Sequence, residues 1–124
     1  MARYTWVVLT NAEAGREEEF DRWYNEVHVP DLLRIPGVVG VTRGRLAGTQ
    51  TSPGPSGIAV VATEQADLKY RYLAMYTIET DDLETVLQTV ADRAGTDEMR
   101  MSDALSADIT TMCFEDLMSV QARA

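Results

Sequence analysis

EEEFDRWYNEVHVP, residues 17–30, has the spacing of a helix with a single apolar face. Its apolar residues follow the series i, i+3, i+4 and i+7, and they are Phe20, Trp23, Tyr24 and Val27. The three glutamates at its start complement the positive end of a helix dipole. Pro30 has no amide hydrogen, and its ring crowds the preceding turn. The stretch therefore predicts an amphipathic helix that starts near Arg16 and ends or kinks near His28.

Strand-like stretches lie on both sides of this helix. β-Branched and aromatic residues predict strands over 3–10, 38–48, 69–80 and 107–120. Asp81 and Asp82 can cap a second helix that ends near Gly95. The order β-α-β-β-α-β predicts a ferredoxin-like α+β sandwich, in which one sheet carries both helices on one face. The other sheet face is left uncovered, so we expect a homodimer through that face.

The segment between the second and third predicted strands has a different composition. Residues 49–57, TQTSPGPSG, are rich in Pro, Gly and Ser and predict a loop. Residues 58–64, IAVVATE, either prolong the sheet or form a short separate element. We expect a single domain over residues 1–124, with 49–68 as a loop or an inserted segment.

The charge and cysteine content exclude several classes of function. The chain has 20 acidic and 11 basic residues and a net charge of −9, which disfavours nucleic acid and anionic membranes as partners. The basic residues are scattered along the sequence. The single cysteine, Cys113, allows no internal disulfide, and the residues needed for a zinc site are missing. No apolar run approaches the roughly 20 residues of a membrane span. We expect a cytoplasmic protein without a metal.

A family resemblance adds to this pattern. The residues that carry it are Phe20, Trp23, Tyr24, His28 and Pro30, followed by Pro36-Gly37 and Arg43. Together they resemble the EthD-like family of the dimeric α+β barrel superfamily. The resemblance implies a homodimer whose sheets pack face to face, with a ligand cavity between sheet and helices in each subunit.

The same resemblance implies several activities. Relatives include cofactor-free cyclases, dehydratases, decarboxylases and isomerases that act on polyketide-like or lactone substrates, and anthrone-type oxygenases. In several such enzymes a histidine in the cavity transfers protons, and His28 matches that role by position. Other relatives place the working histidine on a strand, where this chain has none.

Two residues of the first helix and one just beyond its predicted end are the candidates for catalysis. Tyr24 lies one turn before His28, and Asp31 follows His28 by three positions. If helical geometry persists, the carboxylate can orient the imidazole and raise its pKa, while the tyrosine donates to an oxyanion. Alternatively, His28 is a structural imidazole at a helix end and Asp31 is a cap for the next turn. Both interpretations stay open.

The candidates for substrate binding are aromatic residues and one arginine, namely Trp6, Trp23, Arg43, Tyr72 and Tyr76. Tyr70, Tyr72 and Tyr76 have the same parity in the third predicted strand, so they share a face. That face either forms a platform for a flat ligand or belongs to the core or the dimer interface. Arg43 shares a strand face with Arg45 and either binds an anionic oxygen or forms an ordinary ion pair.

Together these features predict a cofactor-independent lyase, cyclase or isomerase. It would use His28 as a general acid or base on an apolar, oxygenated small molecule that is polyketide-like, aromatic or a lactone. One alternative is a cofactor-free oxygenase of phenols or anthrones. The other is a non-catalytic protein that binds a small molecule in a degradation pathway.

Overall fold

The computed structural model describes residues 1–123. The strands are β1 (Ala2–Thr10), β2 (Val38–Arg45), β3 (Thr49–Gly54), β4 (Gly57–Ala62), β5 (Tyr72–Thr80) and β6 (Thr110–Glu115). The α-helices are α1 (Glu17–Trp23), α2 (Val29–Leu33) and α3 (Leu83–Arg93). None of the helices described here is long and apolar enough to cross a membrane.

The main sheet has four strands in the order β2-β5-β1-β6, with every neighbouring pair antiparallel. This order confirms the predicted ferredoxin-like α+β fold. In β5, alternate residues are buried against the helices, and these are Ala74, Tyr76 and Ile78. Trp6 of β1 lies opposite Tyr76 in the register. The helix face of the sheet therefore carries the aromatic core of the protein.

The first helical segment continues through the region near His28, where the sequence predicts an end or a kink. A π-helical turn, Tyr24–His28, follows α1 and leads directly into α2. The amide of Val29 donates to the carbonyl oxygen of Tyr24, five residues back. Pro30 then lies in the first turn of α2, where its fixed φ suits the helix. Of the two predicted outcomes near His28, an end or a kink, the helix does not end there; its geometry widens into a π turn before the proline.

The segment predicted as a loop is a β-hairpin. Residues 49–57 contribute β3 and its turn, and β4 pairs with β3 in a separate two-stranded sheet. Gly54 pairs with Gly57 around a two-residue turn, and Gly57 has a φ of +118°. The Pro and Gly residues thus form the turn of a hairpin. Of the two alternatives for residues 58–64, the structure has the short separate element.

The last strand is shorter than predicted. Its strand geometry covers Thr110–Glu115, whereas the sequence pattern extends over 107–120. Leu117 and Met118 lie beyond β6 with exposed side chains. The apolar residues of 107–120 therefore predict that a strand is present but not the residue at which its pairing with β1 ends.

Candidate functional site

An aromatic cluster fills the space between the sheet and the first helical segment. It consists of Trp6, Trp23, Tyr24, His28 and Tyr76. Trp6 and Tyr76 come from neighbouring strands, and their ring centroids lie 5.0 Å apart. The other three residues come from the end of α1 and the π turn. The fold thus brings together five of the eight predicted site residues.

His28 lies between two rings of this cluster. Its imidazole stacks on Trp23 with a centroid distance of 4.7 Å and an interplanar angle of 24°. The ring of Tyr24 meets it edge-on at 5.0 Å. Nδ1 is buried and has no hydrogen-bond partner among residues 1–123. One ring nitrogen is therefore left without a competing partner in the protein.

Burial keeps the His28 imidazole neutral. Loss of solvation lowers its pKa to about 4, and the positive charge of Arg43 acts in the same direction. The carboxylate of Asp31 opposes this shift, as the sequence suggests, but it is the weaker influence. The expected rise in the histidine pKa is therefore wrong, because desolvation exceeds the attraction of the carboxylate. At neutral pH the imidazole is uncharged.

The hydroxyl groups of Tyr24 and Tyr76 meet in the same buried space. The Tyr76 hydroxyl donates to the Tyr24 oxygen at 3.3 Å. Because Tyr24 accepts in this contact, its own proton is available to another acceptor. Burial raises the pKa of both phenols, and the hydrogen bond from Tyr76 partly offsets that rise at Tyr24. Both tyrosines therefore stay protonated at neutral pH, and Tyr24 has a proton left to donate.

Asp31 is fully buried, with an exposed fraction of 0%. One carboxylate oxygen accepts from the backbone amide of Arg100 at 3.1 Å. The other pairs with the guanidinium of Arg34 and lies 3.6 Å from that of Arg100. Burial alone raises the pKa of this carboxyl, but the Arg100 amide and the two guanidinium groups hold it below its usual value. Asp31 is therefore a buried carboxylate that keeps its charge.

The loop before β6 is anchored to the same helical segment. Besides the contact with Asp31, the carbonyl oxygen of Arg100 accepts from the Trp23 indole N–H at 2.9 Å. Met99 beside it is buried in the core. The sequence analysis missed Arg100, since it lies about 70 residues from the motif in a stretch without clear periodicity. The loop fixes the position of the Trp23 ring on which His28 stacks.

Arg43 lies on the helix face of β2, between the aromatic cluster and a surface pocket. Its guanidinium carbon lies 4.3 Å from the centroid of the Tyr24 ring. Its terminal nitrogens donate to Asn25 at 2.9 Å and to Asp21 at 3.0 Å. Nε is buried and has no partner within residues 1–123. The ordinary ion pair considered in the sequence analysis is thus formed, but it leaves one donor unused.

The pocket next to Arg43 has a volume of about 270 Å³. Its lining residues are Asp21, Asn25, Arg43, Gly44, Arg45 and Tyr72. Arg43 and Tyr72 are thus the two predicted site residues that reach it, whereas His28 does not line it. The Tyr72 ring also packs 4.8 Å from Phe20. Arg43 therefore separates this pocket from the Tyr24 side of the aromatic cluster.

Tyr70 is not part of the predicted row of tyrosines on β5. It precedes the strand, and its hydroxyl bonds Asp108 at 2.9 Å and Thr110 at 2.6 Å. Tyr72 and Tyr76 are on β5 and face the helices. The shared face is therefore reduced to two tyrosines, because β5 begins at Tyr72. Of the two interpretations of that face, the structure has the core one, since Tyr76 is buried and Tyr72 packs against the core.

These elements define an antiparallel ferredoxin-like α+β protein with an aromatic cluster between sheet and helices. Residues 13–110 match the model of the EthD domain, and the chain belongs to the EthD family. No curated protein matches the chain in sequence.

Solved structures share the fold at low sequence identity. The haem degrader MhuD from Mycobacterium tuberculosis, with two haems bound, is 17% identical, with a TM-score of 0.50 over 95% of this chain and 99% of that chain. A point mutant of MhuD with two manganese protoporphyrin IX molecules per active site is 15% identical, with a TM-score of 0.54 over 96% and 99%. HapK from Hahella chejuensis is 13% identical, with a TM-score of 0.51 over the whole of both chains. At these identities the likeness is one of fold.

Proposed function

We propose that the protein is a cofactor-independent enzyme, a lyase, cyclase or isomerase, that removes a proton from carbon next to a carbonyl group. The observation that carries this proposal is the neutral, half-buried His28 imidazole, whose buried Nδ1 has no hydrogen-bond partner within residues 1–123. A general base must be in its unprotonated form, and the lowered pKa of His28 ensures this at neutral pH. The loss of basicity that burial causes is partly restored by the carboxylate of Asp31. The surrounding rings supply an apolar environment for an oxygenated aromatic or lactone-like substrate.

Tyr24 is the proposed partner of His28 in this reaction. Removing the proton leaves an enolate, whose negative oxygen needs a donor in a water-poor site. The Tyr24 hydroxyl has a free proton because it already accepts from Tyr76. The proton that His28 takes from the substrate carbon is returned to another carbon or to the leaving group. Thus the protein needs only acid–base groups for this chemistry.

Asp31 contributes to the proposed site through its charge. Its carboxylate acts on the imidazole by raising the pKa of His28 against the effect of burial. Its oxygens are bound to Arg34 and Arg100. We therefore propose two roles for Asp31. It makes His28 more basic than burial alone would leave it, and it holds the loop that supports Trp23.

The substrate is proposed to enter through the pocket beside Arg43. Tyr72 forms part of its wall, and Arg43 lies between the pocket and the Tyr24 ring. A displacement of the guanidinium from Tyr24 would join the pocket to the aromatic cluster. Trp6, Trp23 and Tyr76 would then form the walls around the bound molecule.

The open face of the sheet is the proposed homodimer interface. Register places Val7, Leu9, Leu73, Met75, Met112 and Phe114 on the face away from the helices. Phe114 is 52% exposed, and Met75 and Met112 are also exposed. Apolar side chains in one such patch favour association. In light scattering, a Phe114→Lys, Met75→Lys double variant should have the mass of a monomer. Ile58→Lys in the β3–β4 hairpin is the control and should have the same mass as the wild-type dimer. A wild-type monomer at high concentration would refute the dimer.

A cofactor-free oxygenase is the second candidate. The observation that favours it is the contiguous set of oxidisable rings, in which Trp6 contacts Tyr76 and Trp23 contacts Tyr24. An electron-rich phenol or anthrone held among these rings would react with O₂ directly. Consumption of O₂ during turnover separates this candidate from the acid–base enzyme.

Haem chemistry of the kind named for MhuD does not fit this chain through a histidine ligand. The only histidine packs its ring between Trp23 and Tyr24. The pocket beside Arg43 is lined by no histidine and has a volume of only about 270 Å³. We therefore propose no step that uses haem.

Deuterium exchange at carbon tests the proposed function. The wild-type protein, incubated in D₂O with a panel of aromatic ketones and lactones, should catalyse exchange next to the carbonyl of at least one member. His28→Gln should lower that rate by about 10²–10⁴-fold, as expected for loss of a general base, while substrate still binds. Exchange that survives in His28→Gln would refute the role of His28. Binding without exchange or O₂ uptake would instead identify a non-catalytic binding protein.

A further inference from the structure

The sheet face away from the helices has large side chains along one edge and very small ones along the other. At the β6 edge, the strand register places Met112 and Phe114 on this face, and both side chains are exposed. At the β2 edge, the residues on the same face are Gly40, Thr42 and Gly44. The two edges of the open face are therefore complementary in size.

Phe114 and Gly40 lie at the same level of the sheet. Phe114 of β6 is the cross-strand partner of Thr5 in β1. Thr5 in turn pairs with Thr77 of β5, whose partner on the other side is Gly40 of β2. The four residues form one row across the open face, with the largest side chain at one end and no side chain at the other.

The backbone does not require glycine at position 40. Its φ is not positive, so neither the strand nor the bulge between Val38 and Gly40 demands this residue. A Cβ built at Gly40 meets only the Thr77 side chain, at 3.9 Å, which is an ordinary van der Waals distance. Glycine weakens a strand and often marks a place of close approach. The space above Gly40 is therefore free for a side chain from another molecule.

A second copy of the chain has a side chain in the right place to fill this space. Two copies that pack through the open face are related by a two-fold axis that lies between the sheets and parallel to them. An axis along the strands places the β6 edge of one subunit over the β2 edge of its partner and keeps each row at its own level. Phe114 of one subunit then lies opposite the partner's Gly40, and the symmetry repeats the contact. An axis across the strands would instead bring the two large edges together and leave the glycine edges facing a gap.

We propose that Phe114 of each subunit packs into the space above Gly40 of the other, in a homodimer whose two-fold axis runs along the strands. Large side chains opposite small ones fill the layer between two sheets that pack about 10 Å apart. The contact rests on the proposed function only through the homodimer. It requires neither His28 nor any catalytic step.

Reciprocal variants test this contact. Phe114→Ala leaves both spaces empty in its homodimer, whereas Gly40→Phe sets two phenylalanine rings against each other at both contacts. In sedimentation equilibrium, each variant alone should dimerise at least about tenfold more weakly than the wild type. An equimolar mixture should form a heterodimer of nearly wild-type affinity, because each of its contacts has one phenylalanine and one small residue. Native mass spectrometry resolves this heterodimer from the two homodimers.

Two double variants supply the control within a single chain. Gly40→Phe combined with Phe114→Ala exchanges the two partners and should restore the homodimer. Gly48→Phe combined with Phe114→Ala should stay as weak as Phe114→Ala alone, since Gly48 is equally open but lies outside the main sheet. Gly40→Leu replaces Gly40→Phe in both experiments if the phenylalanine variant does not fold.

Rescue in the mixture and in the first double variant supports the contact. A wild-type dimer without rescue would overturn the contact and the direction of the axis, although the open face would still be the interface. A wild-type monomer would overturn both the contact and the homodimer. Rescue in a protein that catalyses no carbon exchange would leave the contact intact and contradict only the proposed enzyme.

Discussion

His28 and Asp31 lie three residues apart in one helical segment, yet burial has opposite outcomes for their charges. The imidazole packs between two aromatic rings, and nothing in residues 1–123 bonds its Nδ1. Its pKa falls to about 4, so it is neutral. The carboxylate of Asp31 is more deeply buried but receives an amide and two guanidinium groups. Its pKa stays below the usual value, so it is charged.

The difference shows that donors, rather than depth alone, decide whether a buried group is charged. Desolvation disfavours the charged form of both groups. At Asp31 it is outweighed by hydrogen bonds from a loop about 70 residues away and from Arg34. No such contact exists for His28 in the described chain. One group is therefore committed to holding the structure, while the other is free for chemistry.

Replacing Asp31 should have the largest effect on stability. Asp31→Ala removes charge-assisted hydrogen bonds, leaves the Arg100 amide without its acceptor and opens a small cavity. We expect the free energy of unfolding to fall by about 3–4 kcal/mol in urea denaturation. The two arginines are exposed and can be solvated, which keeps the loss within this range.

Asp103 provides the matched control for this substitution. It also pairs with an arginine, Arg16, but its side chain is 89% exposed. Asp103→Ala should therefore lower the free energy of unfolding far less than Asp31→Ala does. If the two variants lost similar amounts of unfolding free energy, the contacts of Asp31 would stabilise the protein no more than a surface ion pair does. Donors would then not explain why Asp31 is charged and His28 is neutral.

The pH dependence of stability should separate the two groups. A histidine with a pKa of about 4 in the folded state and 6.5 in the unfolded state binds its proton more readily when unfolded. Its contribution is thus fully present above pH 6.5 and is lost as the pH falls to about 4, by about 3 kcal/mol at most. Asp31 also has a lowered pKa, so its contribution is lost only below the usual range of a carboxyl.

Denaturation of the wild type and of His28→Gln at a series of pH values measures the loss of stability expected from His28. Glutamine does not titrate, so the difference in unfolding free energy between the two proteins should change by about 3 kcal/mol between pH 7 and pH 4. Carboxyl groups titrate equally in both proteins and cancel in the difference. A constant difference over this range would mean that the imidazole is solvated, and the buried-base proposal would be untenable.

Much of the fold follows from local pattern. The spacing of Phe20, Trp23 and Tyr24 identifies the first helix, and the strands β1, β2 and β5 begin and end within three residues of their predicted limits. The Pro-Gly composition of residues 49–57 is ambiguous, because the same residues form loops and hairpin turns. The π turn is missed as well, since helical spacing alone does not reveal an inserted residue.

The candidate site is less accessible to sequence reasoning. His28, Tyr24 and Asp31 are near one another in the sequence, so local spacing finds them. The partners that decide their charge state are Arg100 and the aromatic rings, and the position of Arg100 depends on how a distant loop packs.

Of the substitutions considered at buried residues, those in the Tyr24–Tyr76 pair should change stability least, because this pair is buried like Asp31 but uncharged. Tyr76→Phe removes one neutral hydrogen bond and keeps the ring contact with Trp6, so unfolding should become easier by only about 1 kcal/mol. Tyr24→Phe should cost more, about 1–3 kcal/mol, since it leaves the buried Tyr76 hydroxyl without an acceptor. Equal losses in the two variants would mean that Tyr76 is not the donor, and Tyr24 would then have no free proton for an enolate.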